Sequence, residues 1–172
     1  MKENIVLIGF MGVGKTSLGK LLASKLGRCF IDLDEKIERD TGLTISEIFA
    51  RHGENYFRAL EKNAVKEICA RRNVVIATGG GTVKDAENLQ LLKNSGVIIC
   101  LTTEPEEIFR RTERQGERPV LDASQENRLE TIKKLLAERQ EFYSQADYQI
   151  DTTDWSPLQI VNDICDYLKT CR

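Results

Sequence analysis

The chain has 172 residues, of which 41 % are hydrophobic and 30 % are charged, and its formal net charge is −2. These values are typical of a soluble globular protein, and the length suffices for a single hydrophobic core. The charge balance argues against a nucleic-acid or anionic-membrane surface as the main partner, and no apolar run approaches the ~20 residues that a membrane span needs. We therefore expect one domain over residues 1–172 and no membrane anchor. A monomer is expected as well, although nothing in the composition derives it.

The cysteines give no sign of a disulfide framework or a zinc site. There are five of them, an odd number, and no two form a C-x-x-C pair. Cys29 and Cys100 lie in apolar runs and are predicted to be buried. We expect a reducing, cytoplasmic compartment. The one histidine, His52, is predicted to end a helix before Gly53, so chemistry that depends on a histidine base is not expected.

Short apolar runs alternate with helical segments along the chain. The runs are predicted strands at residues 4–8, 29–33, 74–77, 97–101 and 148–150. The first four are almost continuously apolar, which is typical of parallel strands that are covered on both faces. The segments between them are long enough for crossover helices. The sequence therefore predicts an α/β protein built on a parallel sheet.

Residues 9–16 read Gly-Phe-Met-Gly-Val-Gly-Lys-Thr and match the pattern G-x-x-x-x-G-K-S/T in full. A predicted strand runs into the motif and a helical pattern follows it. Glycines let backbone N–H groups converge on phosphate oxygens, Lys15 can reach the β- and γ-phosphates, and the Thr16 hydroxyl can ligate Mg²⁺. An ordinary strand-to-helix turn needs neither lysine nor threonine, so we predict a nucleoside-triphosphate site. The residues predicted to contact ATP here are Gly12, Val13, Gly14, Lys15, Thr16 and Ser17.

Two aspartates, Asp32 and Asp34, lie at the end of the second predicted strand. Alternation along a strand would place both carboxylates on one side, near the phosphate loop. Beside a Mg-nucleotide, one carboxylate can hold the metal while the other accepts a proton from an attacking hydroxyl. The alternative is that Asp34 only caps a helix over residues 35–41. A GTPase is not indicated, because the stretch closest to an N-K-x-D signature, residues 82–85, lacks the asparagine.

The order of the motifs resembles that of the shikimate kinase family. The residues that carry the resemblance are residues 9–17, Asp32 and Asp34, Phe57-Arg58, Gly79-Gly80-Gly81, Arg118-Pro119 and Arg139, over a match from Ile5 to about Pro157. The resemblance implies a P-loop kinase fold, a three-layer α/β/α sandwich with a five-stranded parallel sheet and a mobile lid at about residues 112–122. It also implies transfer of the γ-phosphoryl group of ATP, with Mg²⁺, to the 3-hydroxyl of shikimate, a step toward chorismate and the aromatic amino acids.

The resemblance further implies roles for single residues. Thr16 and Asp32 would hold Mg²⁺, and Asp34 would hold and activate the acceptor hydroxyl. Lys15 and Arg118 would stabilise the transferring phosphoryl group, whose negative charge spreads over three oxygens. Residues that would flank adenine are Arg111 and Pro157, and those that would bind shikimate are Asp34, Phe57, Arg58, Glu61, Gly79, Gly80, Gly81 and Arg139. Phe49 would wall the same pocket together with Phe57, with core packing as the alternative for both.

Helical periodicity bears on two of these residues. A stripe of one predicted helix contains Leu129, Ile132, Leu136, Arg139 and Tyr143, which places the arginine among apolar positions. An inward arginine needs an anionic partner, and a substrate carboxylate can be that partner; a structural ion pair or a snorkelling side chain is the alternative. Glu61 follows Arg58 by three helical positions, so it can pair with that arginine and orient it.

Other functions remain open on these observations. The nearest alternative is a gluconate-type or other small-metabolite kinase on the same fold. A nucleoside monophosphate kinase is less favoured, because Asp34 would face a second phosphate poorly. A catalytically silent ATP-binding or regulatory module would be expected to lack the paired aspartates or the lid arginine, and both are present.

Overall fold

A computed structural model describes residues 3–113 and 125–171 of the chain and shows a five-stranded parallel sheet. The strands are β1 (Asn4–Ile8), β2 (Cys29–Asp32), β3 (Val74–Ala77), β4 (Gly96–Thr102) and β5 (Tyr148–Asp151). They lie side by side in the order β2-β3-β1-β4-β5, and every neighbouring pair is parallel. The predicted parallel sheet is confirmed.

Helices cover both faces of the sheet. They are α1 (Lys15–Leu26), α2 (Leu33–Thr41), α3 (Ile45–His52), α4 (Glu54–Cys69), α5 (Ala86–Ser95), α6 (Pro105–Glu113), α7 (Gln125–Tyr143) and α8 (Pro157–Thr170), with a 3-10 turn at Thr82–Lys84. Along the strand order, the connection from β1 to β2 runs in one direction, and the connections from β2 to β3 and from β3 to β4 run in the other. Since such crossovers are right-handed, α1 lies on one face and α4 and α5 lie on the other. Contacts of α1 with α8 and of α4 with α5 agree with this, and the predicted three-layer sandwich is confirmed.

The core follows from the position of each strand in the sheet. Strands β1 and β3 are buried along their whole length, and Ile5 of β1 pairs with Val75 on one side and Val97 on the other. Burial of one such aliphatic side chain contributes about 2 kcal/mol. Cys100, in β4, is fully buried as predicted, but Cys29 is exposed, because β2 is one of the two edge strands of the sheet. The prediction that Cys29 is buried is therefore wrong.

The carboxyl ends of three strands meet at one edge of the sheet. Leu7 of β1 and Asp32 of β2 both pair with Ala77, at the end of β3. The segments that leave these strands are the predicted phosphate loop, the aspartate pair and the glycine triplet, so the topology brings all three together. Among the helices that the structure describes, none has the length and the apolar character needed to cross a membrane.

Candidate active site

The loop between β1 and α1 requires glycine at several positions. Gly9, Gly12 and Gly14 have φ angles of +138°, +80° and +99°, which side chains rarely adopt. A Cβ atom on Gly9 would also lie 2.3 Å from the carbonyl oxygen of Leu101, so there is no space for one. The loop leads directly into the N-terminus of α1, whose unpaired N–H groups carry a partial positive charge. This is the local geometry of a phosphate-binding loop.

Lys15 and Thr16, the first residues of α1, place their side chains at this loop. The Lys15 Nζ atom is nearly buried and donates to the carbonyl oxygens of Gly9, at 2.7 Å, and Phe10, at 2.8 Å. The Thr16 hydroxyl donates to the Asp32 Oδ2 atom at 2.6 Å. A cavity of about 360 Å³ opens here and is lined by Met11, Gly12, Gly14, Lys15, Thr16, Ser17, Asp32, Asp34, Glu35, Glu38, Thr78, Gly79 and Gly80.

The two aspartates do not lie on one strand. β2 ends at Asp32, whose Oδ1 atom accepts from the backbone N–H groups of Asp34, at 3.0 Å, and Glu35, at 3.2 Å. Asp32 is therefore the cap of α2, and the alternative in which Asp34 is the cap is wrong. Asp34 lies in the first turn of α2, so helix geometry and not strand alternation turns it toward the glycine triplet. A Cβ atom on Gly79 would come within 3.1 Å of the Asp34 Oδ1 atom.

A second cavity, of about 290 Å³, adjoins the first. Both cavities are lined by Met11, Asp34, Glu38, Gly79 and Gly80. The residues that line only the second are Ile45, Ser46, Phe49, Phe57, Arg58, Glu61, Gly81 and Arg139. All of the residues that the resemblance implied for shikimate binding thus line one cavity, and Asp34 lies where it meets the phosphate loop.

Arg58 is held at this cavity by two glutamates of its own helix, α4. Its Nη1 atom donates to the Glu61 Oε2 atom at 2.8 Å, and its Nη2 atom donates to the Glu54 Oε1 atom at 3.1 Å. Burial lowers the pKa of Arg58, but the carboxylates of Glu61 and Glu54 outweigh it and the net shift is upward. Glu61 is only 1 % exposed, and its Oε1 atom accepts from the Thr82 hydroxyl at 2.7 Å. The predicted pairing of Glu61 with Arg58 is confirmed.

Arg139 enters the cavity from α7 and is 4 % exposed, as the apolar stripe predicts. Its guanidinium carbon lies 4.9 Å from the centroid of the Phe10 ring. Within residues 3–113 and 125–171, its Nε and Nη1 atoms have no hydrogen-bond acceptor. One turn further along α7, the Tyr143 hydroxyl donates to the carbonyl oxygen of Gly80 at 2.7 Å, and burial raises the pKa of Tyr143 to about 12. A buried guanidinium with unused donors is suited to an anionic ligand.

The glycine triplet gives the two arginines room to approach the backbone. A Cβ atom on Gly80 would lie 3.0 Å from the Arg139 Nη1 atom, and one on Gly81 would lie 3.0 Å from the Arg58 Nη2 atom. A larger residue at either position would therefore displace a guanidinium. The need for glycine here is steric, whereas in the phosphate loop it is also conformational.

The remaining predicted residues lie at the margins of the site. Arg111, on α6, donates to the Glu107 carboxylate at 2.7 Å and to the carbonyl oxygen of Val13 at 3.4 Å, which places it against the phosphate loop. Pro157 is exposed and begins α8 after the capping residue Ser156. Arg118 lies outside the described residues. Of the predicted lid, residues 112 and 113 belong to α6 and residues 114–122 are not described.

Several residues of the site were missed by sequence reasoning. Glu38 lines both cavities and accepts from the backbone N–H of Ile45 at 2.8 Å; its spacing of four from Asp34 on one helix is the signal that could have found it. Tyr143 belongs to the predicted apolar stripe but was not expected to bind the Gly80 carbonyl. The Thr82 hydroxyl carries no local pattern, because its partner Glu61 lies on a distant segment.

Comparisons with known proteins agree with this geometry. The family model for shikimate kinase matches residues 11–169. The shikimate kinase of Thermodesulfovibrio yellowstonii is 49 % identical over 162 residues, which cover 94 % of this chain and 92 % of that protein. The shikimate kinase of Persephonella marina is 47 % identical and the shared region covers 94 % and 96 % of the two chains. The structure of shikimate kinase from Acinetobacter baumannii in complex with shikimate has a TM-score of 0.94 and 38 % identity, with 99 % of this chain and 94 % of that chain covered. The chain belongs to the shikimate kinase family.

Proposed function

We propose that the protein transfers the γ-phosphoryl group of ATP to the 3-hydroxyl of shikimate, giving shikimate 3-phosphate and ADP. The observation that carries the proposal is the pair of adjoining cavities: one is lined by the phosphate loop, and the other by two guanidinium groups and three carboxylates, of which Asp34 lines both cavities. A relative of this chain has been solved with shikimate bound. The acceptor is therefore a small hydroxylated carboxylate.

Arg58 and Arg139 are the groups proposed to bind the acceptor's carboxylate. A guanidinium offers parallel N–H donors that match the two oxygens of a carboxylate. Arg139 has the donors for this, because its Nε and Nη1 atoms bind nothing among the described residues. Arg58 is oriented by Glu61 and Glu54, and the Phe57 ring centroid lies 5.2 Å from its guanidinium carbon.

Asp34 is proposed to receive the proton from the attacking hydroxyl. It lines both cavities, so an acceptor hydroxyl beside it would face the terminal phosphate. The hydroxyl oxygen forms a bond to the γ-phosphorus, the bond from that phosphorus to the ADP oxygen breaks, and the hydroxyl proton passes to the Asp34 carboxylate. Lys15 and Arg118 are proposed to stabilise the charge on the transferring group.

The residues present also suit Mg²⁺. The Thr16 hydroxyl and the Asp32 carboxylate are hard oxygen donors, joined at 2.6 Å and lining the phosphate-loop cavity. Among the described residues, no three histidines, cysteines or carboxylates group as a metal cage. Mg²⁺ is commonly held this way, by one or two protein oxygens together with substrate phosphates. We propose that Thr16 and Asp32 hold it, and that when bound it neutralises charge on the phosphate oxygens.

The cellular compartment proposed for the protein is inferred from its cysteine thiols. The cysteine thiols are all free, at positions 29, 69, 100, 165 and 171. Free thiols are typical of proteins in reducing compartments. We therefore propose that the protein acts in the cytoplasm. Separately from the thiols, we propose that its partners are small molecules and that it acts as a monomer.

The direct test is ADP release with Mg·ATP, measured by a coupled assay with shikimate or gluconate as acceptor. We expect turnover that depends on shikimate and none that depends on gluconate. Turnover with gluconate alone would identify the alternative small-metabolite kinase. Binding of ATP without turnover on either acceptor would contradict the proposed acceptor and leave the nucleotide site intact.

A further inference from the structure

We propose that Thr82 is a positioning residue for the acceptor site, whose hydroxyl orients Arg58 through the buried carboxylate of Glu61. The inference rests on the proposed function, since it concerns how the acceptor's carboxylate is recognised. Thr82 does not line the cavity, so it would act only through the residues that do.

The geometry forms a relay of two hydrogen bonds. The Thr82 Oγ1 atom lies 2.7 Å from the Glu61 Oε1 atom, and the Glu61 Oε2 atom lies 2.8 Å from the Arg58 Nη1 atom. Each oxygen of the Glu61 carboxylate thus has its own hydrogen-bond partner. Rotation of the carboxylate away from Arg58 would also break its bond to Thr82, so the hydroxyl resists that rotation.

Thr82 is itself held in place by burial and by hydrogen bonds of its backbone. Thr82 is fully buried at the start of the 3-10 turn, and its backbone N–H donates to the carbonyl oxygen of Gly79 at 3.3 Å. Its own carbonyl oxygen accepts from the Asn88 Nδ2 atom at 3.2 Å, and Asn88 is 1 % exposed. The hydroxyl is therefore fixed relative to the glycine triplet. Through its hydrogen bond it holds the Glu61 carboxylate in place, and Glu61 in turn holds Arg58.

Binding of the acceptor's carboxylate depends on the orientation of the planar Arg58 guanidinium. Arg58 recognises a carboxylate through donors in a rigid fork, so a tilt of the guanidinium weakens both bonds together. Glu54, its other partner, is on the exposed side of the helix and is 63 % exposed at its side chain. The buried Glu61 is the better fixed of the two anchors, and Thr82 is what fixes it from the loop.

The experiment compares two pairs of proteins, and the members of each pair differ in one hydroxyl group: the parent with Thr82→Val, and Thr82→Ser with Thr82→Ala. Thr82→Val removes the hydroxyl at constant shape, and Thr82→Ser keeps it; Thr82→Ala differs from Thr82→Ser by one oxygen atom. Steady-state kinetics on the full-length protein would give kcat and the KM values for shikimate and ATP. We expect Thr82→Val and Thr82→Ala to raise the shikimate KM roughly fivefold to tenfold, the size expected for the partial loss of one charge-assisted hydrogen bond. The shikimate KM of Thr82→Ser should stay within about twofold of the parent value, and kcat and the ATP KM should change little in all three variants.

Two controls separate positioning from general destabilisation. Thr152 is 2 % exposed and its hydroxyl donates to the carbonyl oxygen of Thr102 at 3.0 Å, so Thr152→Val removes an equally buried hydroxyl and should leave the shikimate KM unchanged. In a Glu61→Ala background, Thr82→Val should add no further rise in KM, because the side chain that links Thr82 to Arg58 is absent.

Two results would overturn the inference while the proposed function stands. One is an unchanged shikimate KM in both Thr82→Val and Thr82→Ala. The other is a rise in Thr82→Ser as large as in Thr82→Val, which would assign the effect to the lost methyl group. Absence of any shikimate turnover by the parent protein would instead contradict the proposed function, and this inference with it.

Discussion

The two halves of the candidate site are built in different ways. The phosphate loop is one continuous stretch, and Lys15 donates to carbonyl oxygens only six and five positions before it. The acceptor cavity is lined by side chains from α2, α3, α4 and α7 and by the backbone of the glycine triplet. Its key contacts span long separations: 21 positions from Thr82 to Glu61 and 63 from Tyr143 to Gly80.

This difference teaches where specificity resides in the molecule. The phosphate loop depends on backbone conformation and one lysine, and suits any nucleoside triphosphate. The acceptor cavity depends on packing between distant elements, and so can differ between proteins that share the loop. Substitutions in the first half should change nucleotide binding, those in the second should change acceptor binding, and Asp34, which belongs to both, should govern turnover. The following experiments test this division, beginning with the largest expected effect.

Replacement of Asp34 by asparagine should nearly abolish turnover, because the amide keeps the shape of the side chain but cannot take the hydroxyl proton. We expect kcat to fall by roughly 10²-fold to 10⁴-fold. Affinity for ATP, measured by calorimetry, should change little, since Asp32 and Lys15 are retained. Near-normal turnover in this variant would remove Asp34 from the proton transfer.

Arg139→Lys should act on the acceptor side alone. Lysine keeps the charge but loses the two-pronged geometry, so we expect the shikimate KM to rise about tenfold or more while the ATP KM stays near its original value. Steady-state kinetics with each substrate varied in turn would show this. An unchanged shikimate KM would mean that Arg139 has a structural role only.

Gly12→Ala should act on the nucleotide side. Gly12 has φ +80°, and an added Cβ would lie 2.9 Å from the Thr112 Cγ2 atom, so the substitution should raise the ATP KM severalfold by displacing the loop. Gly42→Ala is the matched control, because Gly42 has φ +70° at the end of α2 with nothing within 4 Å of its Cβ position. Both variants should lose about 1 kcal/mol of stability from backbone strain. A shikimate KM that rises as much as the ATP KM in Gly12→Ala would contradict the division of the site.

The last prediction concerns Tyr143, whose contribution to the stability of the fold is expected to change only at high pH. Burial raises the pKa of Tyr143 to about 12, above the value of about 10 expected in the unfolded chain. The neutral phenol therefore stabilises the fold below about pH 10, and this contribution is lost as the pH rises toward 12. Denaturant unfolding of the parent protein should show a steeper loss of stability between pH 10 and 12 than that of Tyr143→Phe. Parallel pH profiles for the two proteins would contradict the burial of the Tyr143 phenol as the cause of its raised pKa.

Part of the site could be predicted because its signal is local. The apolar runs predicted all five strands, and the spacing of glycines, Lys15 and Thr16 predicted the phosphate loop. Periodicity also predicted the burial of Arg139, because a helix places residues three and four apart on one face whatever lies opposite. The roles of the aspartates were less accessible, since the end of β2 at Asp32 depends on a cap hydrogen bond and not on alternation.

The sequence by itself thus determined the elements, their parallel arrangement and the nucleotide half of the site. Tertiary structure decided that Cys29 is exposed, because strand order makes β2 an edge. It also decided which donors face which acceptors around Glu61 and Gly80. Helical and strand periodicity repeats within a few residues, so it can be recognised in the sequence. A contact between distant segments depends on how whole elements pack, and no local sequence pattern predicts it.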